Sequence, residues 1–432
     1  MLLYRRENRR SFVDLWEDFA WRGLIADSTK PHELREHLLG GSRTAYVGFD
    51  PTADSLHIGS LLPLLALRRV QRAGHRPIVL IGGGTGLIGD PSGKAGERQL
   101  NPQEQVAAWA DRLKAQVRVF LDFDHAVLAD NYEWLSKLRL IPFLRDVGKH
   151  FPLGAMIAKE SVRSRMTGSD EGISFTEFSY QVLQAYDFMA LHERHGCTVQ
   201  LGGTDQWGNI TAGVELVRRV RGAAVYGMTL PLVTKTDGTK FGKTEGGTIW
   251  LDASKTSPYE MYQFWLNTAD DDVSKYLRYF TFLDRIEIEA LETATRAAPE
   301  QREAQRVLAR EVTSLVHGTP VVNEADAISR ALFSGDLGSL TEIQLDQVCR
   351  ATPTTTLAKW EIERLGVVDF LGRVGVATSK REARELLASG AISINGRRVT
   401  GANEVLSDEF VLFGRFIIVR KGKKSYHAAT LA

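Results

Sequence analysis

Three short stretches of this chain carry side chains whose types and spacing suit a reaction at a phosphate. In DSLHIGS, His57 and Gly59 stand where a first helix would begin, and backbone amides and the helix dipole there would attract phosphate. In KFGKT, Lys240, Lys243 and Thr244 sit within the polar, glycine-rich run 234–248, where cations would stabilise charge developing on a leaving pyrophosphate. In SYQVLQAYDF, Tyr180, Gln184 and Asp187 are spaced i, i+4, i+7 and share one helix face, while Phe178, Val182 and Met189 occupy the opposite one. That polar face admits two readings, a solvated surface or the wall of a polar pocket.

A fourth stretch, IVLIGGGTGLIGDPSGK at residues 78–94, imitates two nucleotide fingerprints and satisfies neither. Gly84, Gly86 and Gly89 have dinucleotide spacing, yet the next helix start signal is Asn101, too far on for helix amides to reach a pyrophosphate at the glycines. A phosphate-binding P-loop needs glycine at position 88 and Ser or Thr after Lys94, where Ile88 and Ala95 stand. Two readings remain, close backbone approach at the carboxyl end of a central strand with Asp90 available to hold a cationic group, or a tight turn with a solvated aspartate.

The elements that must position these groups form an α/β pattern. RTAYVGF, the turn DPTADSLHIGS, the apolar-periodic LLPLLALRRVQRAG and RPIVLI read as a right-handed βαβ unit opening a parallel sheet. Residues 12–25 read as an amphipathic helix, and Asn101, Pro102 and Glu104 as the capped start of another. FTEFSYQVLQAYDFMALHERHG reads as a long helix, followed by strand, turn and helix in TVQLGGTDQWGNITAGVELVRRV. The run 234–248 lacks periodicity and is expected to be a mobile loop. Ser257-Pro258 opens a helical stretch to about residue 350, ATPTTTLAK reads as a linker, and a Ser379/Glu382 capping box begins a helix to Ala388 that stops at Gly390. Asn395-Gly396 then marks a tight hairpin.

Composition excludes several classes. The chain has 432 residues, 43% hydrophobic and 25% charged, enough for two to four domains of an ordinary globular protein. Cys197 and Cys349 have no metal-ligand spacing, so neither a disulfide framework nor a zinc site is expected, and a reducing, cytoplasmic setting fits. No apolar run is long enough for a membrane span, and MLLYRRENRRSF lacks the apolar core of a signal peptide. Net charge is +1, but from Ser379 to Tyr426 ten Lys or Arg stand against five Asp or Glu, as in a nucleic-acid-binding appendage or a solvated basic face.

Taken together, YVGFDPTADSLHIG, GLIGDPSGK, FTEFSYQVLQAYDF, GGTDQWGNI and DGTKFGKTEGG resemble the bacterial tyrosyl-tRNA synthetases, with the first and last in the places of the HIGH and KMSKS signatures of class I enzymes. The resemblance is dense over 43–265. It implies an N-terminal helical segment at 1–42 and a Rossmann-like parallel-sheet catalytic domain at 43–255. After these come an α-helical anticodon-binding region at 256–350, a linker at 351–359 and, at 360–432, a small α+β RNA-binding domain similar to ribosomal small-subunit protein four. It implies L-tyrosine, ATP and tRNA(Tyr) as partners, Mg²⁺ accompanying the nucleotide rather than a protein-bound metal, and a homodimer without membrane attachment.

By the same resemblance, Tyr46 and Asp187 would meet the substrate phenol, Asp90, Tyr180 and Gln184 its ammonium, and Gln206 would lie near its carboxyl group. Asp50, Gly59, Ser60, Gly203 and Asp205 would serve ATP, and Thr52 and His57 its phosphates. Lys94, Arg98, Lys240, Lys243 and Thr244 would gather at the pyrophosphate. Lys380, Arg381, Arg384, Arg397 and Arg398 would contact RNA phosphates, positioning rather than reading sequence. Ser60 stands where the signature has its last histidine, and Val47 where some members have a cysteine, which puts ribose contacts in question but not phenol recognition. The alternatives are a tryptophanyl enzyme, a nicotinamide oxidoreductase, or a catalytically silent RNA-binding protein on the same scaffold. Tyr46 with Asp187, the failed dinucleotide fingerprint, and the intact His57, Lys240 and Lys243 respectively count against them.

Overall fold

The computed structural model describes residues 14–92, 100–159, 162–163, 166, 172–236, 241–244, 247–362, 364–422 and 425–432. The chain divides into two compact units, Met1–Asp252 with Asp270–Arg296, and Ala253–Ala269 with Ala297–Ala432.

The first unit is built on a six-stranded sheet of β1 (Asp27–Ser28), β2 (Thr44–Phe49), β3 (Arg76–Ile81), β4 (Val127–Asp130), β5 (Cys197–Gly203) and β6 (Tyr226–Leu230). Their order is β1-β6-β5-β2-β3-β4, with every pairing parallel except the two-residue edge β1 on β6. The expected βαβ unit is present as β2, the helix Leu61–Arg72 and β3. Ile78 to Ile81 are all buried, as an apolar run covered by helices on both faces must be. Chain order reverses between β2 and β5, so the carboxyl ends of neighbouring strands diverge there and leave a crevice, the usual ligand edge of an open α/β sheet.

Local signals fix some element boundaries, while others are set by the surrounding structure. Ser174 caps the helix Phe175–His195 and left-handed Gly196 ends it, as the sequence suggested. The N-terminal helix is shorter than expected, Leu15–Arg22, because Asp14 caps it and Gly23 closes it. The helix expected to start from Asn101 instead runs Gln103–Val117 with Pro102 in the N-cap position and no side-chain cap, one residue later than the capping-box reading. Run 234–248, expected to lack regular structure, contains the short antiparallel pair β7 (Lys243–Thr244) and β8 (Gly247–Thr248).

In the second unit, Ser257 and Glu260 form a full capping box on the helix Pro258–Leu266, which buries Tyr262 and Trp265 with the helices Glu303–His317 and Thr319–Ser334. The expected continuous helical stretch is interrupted, because Asp270–Arg296 belongs to the sheet unit. Thr354–Leu357, expected to be linker, is strand β9: three successive β-branched threonines suit an extended backbone, and β9 pairs in parallel with β13 (Ser425–Leu431). The sheet order is β11-β10-β12-β13-β9, with β10 at Ile392–Ile394, β11 at Arg397–Arg398 and β12 at Phe416–Lys421. Asn395 at φ 47° and Gly396 at φ 82° make the expected tight hairpin between β10 and β11. Among the described residues no helix is long and apolar enough to cross a membrane.

Two imidazoles, His75 buried and His37 half-buried, lie at the amino end of the first unit's sheet. The Arg43 amide donates to His75 Nδ1 over 3.2 Å, and His37 Nε2 lies 2.9 Å from Thr198 Oγ1 with its ring against Tyr226. Burial, and then Arg43 and His75, push His37 down to about 4. The neutral ring is thus the folded form, so its stabilising contribution is complete above the ordinary histidine value of 6.5 and is lost as pH falls towards 4. Thermal unfolding of His37→Gln is expected to lose less stability than the parent between pH 6.5 and 4; equal losses would contradict this.

Candidate active site

The crevice at the sheet switch point is organised by carboxylates. Asp50, just beyond β2, accepts from Tyr180 Oη (2.8 Å) and Thr85 Oγ1 (2.7 Å). Thr85 Oγ1 in turn accepts from Asn131 Nδ2 (2.8 Å), and the same amide nitrogen donates to Asp187 Oδ2 (2.9 Å). Trp134 Nε1 donates to the other oxygen of Asp187 over 2.8 Å. One continuous network therefore joins the carboxyl ends of β2, β3 and β4 to the Phe175–His195 helix.

The glycine run makes this network possible by backbone proximity. A Cβ on Gly82 would lie 1.9 Å from Asp50 Oδ1, and one on Gly83 2.3 Å from Asp130 Oδ1. Any side chain there would displace both carboxylates.

The polar face of the Phe175–His195 helix is no solvated surface: Tyr180 is 6% and Asp187 2% exposed. Tyr46, on β2, is 1% exposed, its ring lies 5.4 Å from that of Phe188 at a tilt of 59°, and among the described residues its hydroxyl meets no hydrogen-bond partner; nor does Gln184 Oε1. A buried hydroxyl left unpaired costs about 1–3 kcal/mol, so a site that holds one is shaped for a ligand that supplies the bond. Burial pushes Asp187 up to about 8 against the pull of Asn131 and Trp134, with Asp50 and Asp130 raising it further. A third donor directed at Asp187 would draw that value down.

At the far end of the crevice, Asp90 Oδ2 accepts from Gln206 Nε2 over 2.7 Å, and its Oδ1 accepts from the Ser92 amide. Gln206 also reaches Asp205, whose carboxyl is raised first by burial, despite the bond from Gln206, and further by Asp90. Gly203 ends β5, and Asp205 follows two residues later in the short turn Thr204–Gln206 that precedes the helix Trp207–Arg221.

The two signature stretches meet. His57 Nδ1 accepts from the Gly59 amide and caps the turn Ile58–Ser60, from which the helix Leu61–Arg72 continues. The Ile58 amide donates to Ile249 O, the Leu251 amide to Leu56 O, and the His57 and Trp250 rings lie edge to face. Gly242, at φ +78°, lies against Ile58, where a Cβ would stand 2.4 Å from Cγ2. The chain leaving KFGKT is thereby seated beside the His57 turn. Thr52 and Ser60 lie in the two turns of that same edge.

The structure thus brings Tyr46, Asp50, Asp90, Tyr180, Asp187, Asp205 and Gln206 together, with Asp50 bonded to Tyr180. Lys94, Arg98 and Lys240 lie outside the described residues, as do the side chains of Lys243 and Thr244. Sequence reasoning missed Thr85, Asn131 and Trp134; their signal was a third strand, β4, whose carboxyl end delivers Asn131.

The family model for class I tRNA synthetases (W and Y) matches residues 40–334, and the model for the tyrosine-tRNA ligase SYY-like C-terminal domain matches 344–429. The tyrosine-tRNA ligase of Geobacillus kaustophilus is 54% identical over 96% of this chain and 99% of its own length, and that of Aliivibrio fischeri 53% over 96% and 98%. This chain belongs to the bacterial tyrosyl-tRNA synthetases. A truncated mitochondrial tyrosyl-tRNA synthetase of Aspergillus nidulans matches with a TM-score of 0.68 at 31% identity, covering 76% of this chain and 96% of that one.

The synthetase's C-terminal module keeps its basic residues at the surface but mostly engaged. Lys380 pairs with Asp369, Arg381 with Glu385 and Arg397 with Glu404, while Arg398 donates to Gly390 O at the end of the Lys380–Ala388 helix. Exposed pairs of this kind are worth about 0–1 kcal/mol, so a phosphate would exchange with them at little cost.

Proposed function

We propose that the chain activates L-tyrosine with ATP to tyrosyl-adenylate and passes the tyrosyl group to the terminal adenosine of tRNA(Tyr), using the residues gathered at the sheet switch point. One observation carries the reading of the amino-acid pocket: the unpartnered, buried Tyr46 hydroxyl beside an Asp187 fixed by Asn131 and Trp134. A phenol hydroxyl, donor and acceptor at once, answers both groups.

Asp90, Tyr180 and Gln184 would hold the ammonium, drawn by the negative field of Asp50 and Asp90. Gln206, tethered to Asp90, would orient the carboxylate. That carboxylate attacks the α-phosphorus in line: its oxygen bonds to phosphorus as the bond to the bridging oxygen breaks, and pyrophosphate leaves with the electron pair. Gly59, Ser60, Gly203 and Asp205 would serve the nucleotide, and Thr52, His57, Lys94, Arg98, Lys240, Lys243 and Thr244 the phosphates. Catalysis is by placement and charge stabilisation, which requires no covalent nucleophile. Mg²⁺ would arrive on the nucleotide and add to the neutralisation of phosphate charge.

Residues 43–255 form the catalytic domain in this proposal, 256–350 the anticodon-binding region, and the last module with Lys380, Arg381, Arg384, Arg397 and Arg398 an RNA-phosphate surface. The apolar side chains exposed along 140–175, among them Leu140, Ile141, Leu153 and Phe175, suit a second copy of the chain, a homodimer working in the cytoplasm.

Pyrophosphate exchange into ATP across a panel of amino acids tests the whole reading. Exchange is expected with tyrosine and almost none with phenylalanine or tryptophan; no exchange with tyrosine would overturn it.

A further inference from the structure

The segment Asp270–Arg296, which follows the start of the helical region in sequence yet belongs to the sheet unit, holds the chain just before the KFGKT stretch and its second residue, Phe241. Its helix Asp270–Phe280 begins with three aspartates. Asp272, 3% exposed, accepts from the Thr236 amide (3.2 Å) and from Thr236 Oγ1 (2.8 Å), and pairs with Lys275 (2.9 Å). One turn further along, Lys275 Nζ and Tyr276 Oη both donate to Thr234 O, over 2.8 and 3.1 Å. On the other side of KFGKT's first lysine, Phe241 stacks on Phe280 at 5.5 Å and 13° and meets Tyr276 edge on at 5.2 Å. One helix therefore fixes the backbone at 234–236 and the side chain at 241.

The carboxyl end of this helix is itself held. Arg22, at the end of the helix Leu15–Arg22, donates to the carbonyls of Arg278 and Leu283, and Arg69, on the helix Leu61–Arg72 that follows the His57 turn, donates to that of Thr281. A rigid path of packed elements thus runs from one signature stretch to the anchor of the other.

We propose that the helix Asp270–Phe280 positions KFGKT for adenylate formation, with Asp272, Tyr276 and Phe280 as positioning residues that act through Thr234, Thr236 and Phe241. This rests on KFGKT serving the pyrophosphate. A buried carboxylate is costly unless it is paired and hydrogen-bonded, so Asp272 is stable only while it keeps its bonds to Thr236 and Lys275. Both oxygens of Asp272 are thereby committed to the backbone and side chain of Thr236 and to Lys275. A misplacement of about 1 Å at reacting groups costs up to about a hundredfold in rate, so releasing one anchor is sufficient for a large kinetic effect.

The test is single-turnover tyrosyl-adenylate formation with tyrosine affinity measured in parallel on the full chain. Asp272→Ala is expected to slow adenylate formation about tenfold to a hundredfold with tyrosine affinity within about twofold of the parent. Asp272→Asn, which still accepts from the Thr236 amide, should recover most of the rate. Phe241→Ala, on the partly exposed side of the contact, should show the same split. A parental rate in Asp272→Ala, tyrosine affinity falling in step with rate, or no recovery in Asp272→Asn would overturn the proposal. Lys243→Ala separates the two ideas: if it retains the full rate, the assignment of KFGKT fails; if it is slow while Asp272→Ala is not, only the positioning helix fails.

Discussion

Asp187→Asn is expected to erode the preference for tyrosine over phenylalanine by about 5- to 150-fold, measured as the ratio of kcat/KM in pyrophosphate exchange. Asp187 presents two acceptor oxygens to two fixed donors, Asn131 Nδ2 and Trp134 Nε1. An amide keeps one acceptor and turns an N–H₂ towards the other donor. The substrate phenol then loses a charged acceptor, at a cost of about 1–3 kcal/mol, which phenylalanine does not incur. The loss should fall on tyrosine and spare phenylalanine; unchanged selectivity would remove Asp187 from the phenol site.

The protonation of Asp187 gives the same variant a second reading. Burial holds the carboxyl up at about 8, and a phenol donor stabilises only its ionised form. Tyrosine binding therefore favours release of the proton, so affinity should rise from about pH 6 to about pH 8 in the parent and be flat in Asp187→Asn. A flat parent profile would show that the phenol does not donate to this group.

Arg69→Met is expected to destabilise the sheet unit by about 3–5 kcal/mol, read from the midpoint of its chemical unfolding. Arg69 is 4% exposed, donates to Thr281 O over 2.5 Å, pairs with Asp18 at 3.3 Å, and lies over the Phe282 ring. Burial, and then Arg22, lower its pKa to about 9, which leaves it charged at neutral pH. Methionine fills the volume of the stem but leaves Asp18 with only the neighbouring Arg22, and the Thr281 carbonyl without its closest donor. A loss below about 1 kcal/mol would mean that Arg22 alone holds the end of the Asp270–Phe280 helix.

Much of the site was legible because its chemistry is written locally. The i, i+4, i+7 spacing put Tyr180, Gln184 and Asp187 on one face whatever the rest of the chain did, since helical periodicity is a property of the backbone. The βαβ unit followed from apolar periodicity in the same way, and the His57 turn proved to be the capped entry to its helix. The sequence could not show whether that polar face was wet or enclosed, because enclosure depends on what β2, β3 and β4 bring opposite it.

Errors clustered where a local signal competed with a tertiary one. Asn101 has a cap residue's chemistry, but the helix begins after Pro102; the threonine run read as linker becomes β9 because β13 offers it a pairing edge. The helical stretch from Ser257 was continuous in pattern, yet Asp270–Arg296 joins the other unit, a choice that only long-range burial and the grip of Arg22 and Arg69 decide. Residue type and spacing determined the helices, the strands of the βαβ unit and the identity of the charged groups. Tertiary structure alone decided which carboxylates share a crevice, that Asn131 and Trp134 fix Asp187, and that one helix holds Thr234, Thr236 and Phe241 around the start of KFGKT, since contacts between residues dozens of positions apart leave no period in the sequence.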